Sequence, residues 1–233
     1  MLQIRTCIAA VFALSFLLTA PAALARDDDA SPLSGKVVTA SDNSAETVLL
    51  RTGAGDAAAG KNKSLLCQGC HGEFGVSLEP LVPSLAGQFG QYIQKQILNY
   101  QAGTRSHQIM NAMAGLLNGE SDAADVAAYF ASQNKMQGMG TDNEAGKHLF
   151  LHGDLSRTVI ACVNCHGVRG KGLTPKMSAF PVVGGQQQAY IRKQLVDFRA
   201  GIRTNSPSGI MNKVTHKLTD DEIEALAEYV SAQ

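Results

Sequence analysis

The chain has 233 residues, 20 of them basic and 20 acidic, and no tryptophan. That length fits one or two domains. The balanced charge excludes an extended basic surface, so nucleic acid is not an expected partner.

The amino terminus carries an address. Arg5 precedes the apolar run CIAAVFALSFLLTA, Cys7–Ala20, and small residues follow at Ala23–Ala25. This order predicts a secretory signal peptide over residues 1–25, cleaved after Ala25. The apolar run is shorter than the stretch of about 20 residues that a membrane span needs. Export places the mature chain in the periplasm with four of the five cysteines. A free dithiol oxidises in such a compartment, so a bound group is expected on these sulfurs. Residues 26–55 form an N-terminal extension. Its start, RDDDASPLSG, favours disorder, while KVVTA and ETVLLRT leave a short hairpin as the alternative.

Beyond the extension the chain is written twice. Cys67, Cys70, His71, Gly72 and Gly75 match Cys162, Cys165, His166, Gly167 and Gly170 at an offset of 95. Pro83, Gly87, Gln88, Tyr92, Lys95, Gln96, Gly103 and Arg105 then match Pro181, Gly185, Gln186, Tyr190, Lys193, Gln194, Gly201 and Arg203 at 98. Two domains are expected, 56–133 and 144–233, with the glycine-bearing polar stretch 134–143 as linker.

Each copy predicts the same helices in the same order. A short helix leads in over Asp56–Leu66, or over Glu144–Leu151 in the second copy. After the cysteine motif and a loop, Ile93, Ile97 and Tyr100 recur at helical spacing, as do Ile191, Leu195 and Phe198. Gly103 and Gly201 close these helices. A final helix holds ADVAAYF or TDDEIEALAEYV, the latter with Thr219 and Glu222 set for a capping box. Strand-like alternation is lacking in both copies, so the expected fold class is all-α.

Three chemistries use closely spaced cysteines. Structural zinc needs four soft ligands in one small unit, but these pairs lie 95 residues apart in separate repeats. A redox dithiol of the thioredoxin kind follows a strand, and no strand is expected here. Covalent haem attachment accounts for every residue: Cys67 and Cys70, like Cys162 and Cys165, each add to one vinyl group, and His71 or His166 binds iron. Two covalently attached haem c groups are therefore the expected cofactors. A porphyrin also supplies apolar volume that domains of this size lack.

A second iron ligand is sought among the late methionines. In the second copy Met211 of GIMNKV is well placed. The first copy offers Met110, which shares the tripeptide IMN with Met211, and Met113, which keeps the offset of 98. The shared tripeptide favours Met110, and Met113 stays open as core packing or as the ligand. His107, His148, His152 and His216 do not recur between the copies and read as surface residues, while Met136, Met139 and Met177 are poorly placed.

These motifs, with PSLAG at Pro83–Gly87, its echo PVVGG at Pro181–Gly185 and the late methionines, resemble class I cytochrome c domains in tandem, most of all the dihaem cytochrome c4 family. The likeness covers about residues 54–233. It implies that Pro83 and Pro181 offer their carbonyls to His71 and His166, and that the domains pack about a pseudo-twofold axis with haem edges near the interface. It also implies an electron carrier of the respiratory chain, working between a membrane-bound donor complex and a terminal oxidase, with peripheral membrane association. With histidine and methionine on each iron, no coordination site is open for substrate, so an enzyme is not expected. The alternatives are the cytochrome subunit of a dehydrogenase, such as a sulfide-oxidising flavocytochrome, and a dihaem peroxidase with one exchangeable ligand.

Overall fold

The computed structural model describes residues 51–233, all within one compact unit. The expected signal peptide, its cleavage point and residues 26–50 of the extension lie outside the described residues. The first copy contributes α1 (Ala57–Lys63), α2 (Leu65–His71), α3 (Gly90–Gln101), α4 (Gln108–Gly115) and α5 (Gly119–Ser132). The second contributes α6 (Glu144–His152), α7 (Val163–His166), α8 (Gln188–Arg199), α9 (Ile210–Thr215) and α10 (Asp220–Ser231). Among the described residues the only strand-like pairing is one isolated bridge, Asp154 with Val159. The fold is all-α, as the periodicity predicts.

Local chemistry sets the helix starts. Asp56 caps α1 by accepting from the Ala58 and Ala59 amides, and Asn143 caps α6 by accepting from Gly146. Thr219 and Glu222 form the expected capping box on α10. The lead-in helix of the first copy departs from expectation because it breaks at Ser64. This residue is fully buried, donates its hydroxyl to Lys61 O, and begins α2, which carries the cysteine motif to its end at His71.

Each copy is closed by its first helix crossing its last, α1 on α5 and α6 on α10. Glycine makes both crossings: a Cβ on Gly60 would lie 1.9 Å from Asp125 O, and one on Gly146 would lie 2.0 Å from Ala225 O. Behind them sit two matching cores. Ile93, Ile97, Tyr100, Val126 and Phe130 pack in the first, and Phe150, Ile191, Ile223, Leu226 and Tyr229 in the second. The apolar stripes read on α3 and α8 therefore face their own cores.

A third, smaller cluster of Ala86, Phe89, Met136 and Val182 joins the copies. Met136 belongs to the stretch 134–143, which is thus more than a polar spacer: its side chain is 2% exposed between the repeats. Buried cations fasten the ends of both final helices. Arg51 donates to Ala131 O and Gln133 O, and Lys171 Nζ donates to Met136 O, Gly184 O and Gln233 O.

Candidate functional site

Each cysteine motif occupies a single helical stretch that ends on its histidine. Gly72 and Gly167 follow in the left-handed region, at φ 82° and 75°. A Cβ at either would collide with a backbone carbonyl, Val76 O at 2.2 Å or Gly172 O at 2.3 Å, so the tight exit needs glycine. The chain then folds back on itself. Gly75 O accepts from the Leu85 and Ala86 amides, and Gly170 O accepts from those of Val183 and Gly184. These closures lay the proline of each loop over its histidine.

The result is the same in both copies. His71 Nδ1 lies 2.8 Å from Pro83 O, and His166 Nδ1 lies 2.8 Å from Pro181 O. A carbonyl only accepts, so Nδ1 carries the proton and Nε2 keeps its lone pair. Both rings are buried, and burial holds their pKa values down despite the opposing pull of the carbonyl. Each is a neutral imidazole, oriented and ready to ligate. His107, His148, His152 and His216 are exposed.

The four cysteines stand as free thiols. Burial pushes Cys67 up, and pushes Cys162 up to about 12, so neither ionises readily as a zinc ligand must. Among the described residues no three His, Cys, Asp or Glu side chains gather as a metal cluster. The donor set suits thioether attachment and one histidine per iron.

The methionine helices are equivalent by their hydrogen bonds. Asn111 Nδ2 donates to Tyr100 O at 2.7 Å and Arg105 O at 3.2 Å. Asn212 Nδ2 donates to Phe198 O at 2.7 Å and Arg203 O at 2.8 Å. Met110 and Met211 each precede these asparagines and so occupy matching places, both half-buried. Met113, also half-buried, lies three residues further along the first helix and has Val214 as its counterpart by this register.

Two further features fit a haem. Phe74, Val76, Ile109 and Leu116 in the first copy, and Val168 and Ile202 in the second, are more than half exposed although they flank the motifs and the methionine helices. A large apolar group is what such side chains lack. The second feature is charge. Arg105 bonds Gln96, Tyr190 and Gln194, and Arg203 bonds Asn205, Gln194, Tyr92 and Gln96. Lys95 Nζ donates to Asn99 Oδ1 and Asn205 O. Among the described residues none of these three cations contacts a carboxylate, which suits a group bringing carboxylates of its own, as haem does. Burial would raise the Tyr92 phenol, but Arg203, Arg105 and Lys95 outweigh it and hold its pKa below the ordinary value.

Sequence reasoning singled out the cysteines, histidines and methionines. Gln88, Tyr92, Gln96 and Arg105 with their counterparts stand out in the sequence only as repeat matches. Polar residues that recur on an otherwise amphipathic helix were the available signal for an interface.

Comparison with known proteins points to cytochromes c. The family model described as cytochrome c matches residues 144–233, the second copy. Cytochrome c4 of Azotobacter vinelandii is 40% identical over 188 residues, covering 76% of this chain and 89% of that protein. The thiosulfate dehydrogenase electron acceptor of Stutzerimonas stutzeri is 32% identical, covering 71% of this chain and 78% of that one. The crystal structure of reduced recombinant cytochrome c4 from Pseudomonas stutzeri superposes with a TM-score of 0.71 at 38% identity, over 77% of this chain and 99% of its own.

Proposed function

The chain belongs to the cytochrome c4 family, and we propose that it is an exported dihaem electron carrier in which both irons are six-coordinate. It carries two covalently attached haem c groups. Cys67 and Cys70 would hold one and Cys162 and Cys165 the other, with His71 and Met110 as axial ligands of the first iron and His166 and Met211 of the second. Once bound, each haem supplies an iron that alternates between ferric and ferrous states.

The observation that carries this reading is the duplicated set of buried histidine, proline carbonyl and equivalently placed methionine. The proline carbonyl fixes the imidazole and raises its basicity at Nε2. A methionine thioether as the second ligand would favour the ferrous state and raise the potential. With both positions filled, substrate would be excluded from the metal, and the protein's own residues would hold and tune rather than catalyse. The domains proposed are 56–133 and 144–233, joined by 134–143. The proposed setting is the periplasm, peripheral to a membrane that holds a donor complex and a terminal oxidase.

Replacing single methionines tests the ligand set. Met110→Ala and Met211→Ala should each abolish the methionine–iron charge-transfer band of one haem, while Met113→Ala should leave both bands. Loss of a band in Met113→Ala but not in Met110→Ala would reverse the assignment in the first copy. A second reading, acceptor for a sulfur-compound dehydrogenase, is favoured by the likeness to the thiosulfate dehydrogenase electron acceptor. Rapid reduction by such an enzyme, faster than electron transfer to an oxidase, would select it.

A further inference from the structure

Each proline loop is held from across the interface by one glutamine of the other copy. Gln186 Oε1 accepts from the Ser84 amide at 2.7 Å, while its Nε2 donates to Ser84 O at 2.9 Å and reaches Met136 Sδ at 3.4 Å. Gln88 treats Val182 in the same way: Nε2 donates to Val182 O at 2.7 Å, and Oε1 accepts from the Val182 amide at 2.9 Å. The two glutamines are counterparts, 98 residues apart. Ser84, Val182 and both glutamines are at most 5% exposed, so water does not compete for these bonds. Each Oε1 also accepts from the next residue's own amide, Gln187 N at 3.0 Å or Phe89 N at 3.1 Å, which locks it at the start of α8 or α3.

The Ser84 N–H and the Pro83 C=O are two ends of one peptide unit, as are the Val182 N–H and the Pro181 C=O. Donating the N–H places more negative charge on the carbonyl oxygen and strengthens the bond that oxygen accepts. In each copy the accepted bond comes from the histidine Nδ1. One continuous chain therefore runs from Gln186 through the 83–84 peptide to His71, and its mirror runs from Gln88 through the 181–182 peptide to His166. A firmer acceptor at Nδ1 makes the imidazole a stronger donor at Nε2, which favours ferric iron. We infer that Gln186 is a positioning residue for the first haem and Gln88 for the second, each lowering the reduction potential of the haem in the opposite copy. The inference rests on the reading that His71 and His166 ligate the irons.

The test uses the full holoprotein with Gln186→Met, which removes both bonds at similar volume. NMR-monitored redox titration reads each haem separately. The first haem's equilibrium should move about twofold toward ferrous, about 18 mV upward at 59 mV per tenfold for one electron, with the second unmoved. Gln88→Met should do the reverse. A shift confined to the glutamine's own copy, an equal shift at both haems, or no shift would overturn the inference. If Gln186→Met does not assemble with both haems, Gln186→Glu keeps an acceptor oxygen opposite the Ser84 amide. It should leave the first haem at or below its wild-type potential, and a rise would overturn the inference. Failure of the ligand reading shows differently: His71→Gly would then leave the first haem with its wild-type spectrum and potential.

Discussion

Where the two copies face each other they are nearly interchangeable, and where they face away they have drifted. At the interface Arg105 bonds Tyr190 and Arg203 bonds Tyr92, while Gln88 and Gln186 clasp opposite proline loops. On the outer side the first motif rides on the seven-residue α2, whereas the second has the four-residue α7 behind a tight loop closed by the Asp154–Val159 bridge. The second copy also inserts the turn Pro207–Gly209 before its methionine helix, with Ser208 at φ 52°. A residue in these reciprocal contacts meets a near copy of its own surroundings, so one change disturbs both halves. A residue on an outer face disturbs one half and is freer to vary.

The comparison can be broken first at the helix crossings, each of which lies within one copy. Gly60→Ala should lower the unfolding free energy by about 3 kcal/mol, because its Cβ meets backbone that cannot yield without parting α1 from α5. Denaturant unfolding followed in the spectrum of each haem should show the first site failing early, and Gly146→Ala should do the same to the second. Simultaneous loss of both sites in either variant would mean that the copies do not unfold separately.

A smaller effect comes from acid. In the second copy the Ser156 hydroxyl and Arg157 hold the Asp154 carboxyl down at about 2, and Arg157 holds Glu222 below its ordinary value. In the first copy Lys63 holds Asp122 and Asp125 down. Carboxyls lowered on folding stabilise above the ordinary carboxylate range, about pH 4, and lose that contribution as pH falls through their folded values. Both copies should therefore weaken as pH falls below about 4, the second down to the Asp154 value of about 2. Arg157→Ala should flatten that dependence for the second haem site alone, as read by its spectrum across an acid titration. Flattening at both sites would contradict the independence of the outer faces.

Much of this was legible in the residues. The motif pairs, the repeat and the apolar spacing of Ile93, Ile97 and Tyr100 follow from period and chemistry that act within one helix. The break at Ser64 was not legible, since it depends on a buried hydroxyl finding Lys61 O. Nor was the burial of Met136, because a methionine in a glycine-bearing stretch looks like spacer until the cavity between the copies exists. The roles of Gln88 and Gln186 depend on partners 94 and 102 residues away, which no local pattern records. The proposed choice of Met110 over Met113 involves an insertion that counting leaves open, and the matching bonds of Asn111 and Asn212 support it by pairing Met110 with Met211 in register.

The central claim is that each copy holds an iron with both axial positions filled by its own side chains. Titrating the fully reduced holoprotein with carbon monoxide tests this most directly. The account predicts no rapid binding at either haem and an unchanged spectrum at stoichiometric gas. Fast, stoichiometric binding at one or both haems would contradict it and would return the protein to the class of haem enzymes with an open site.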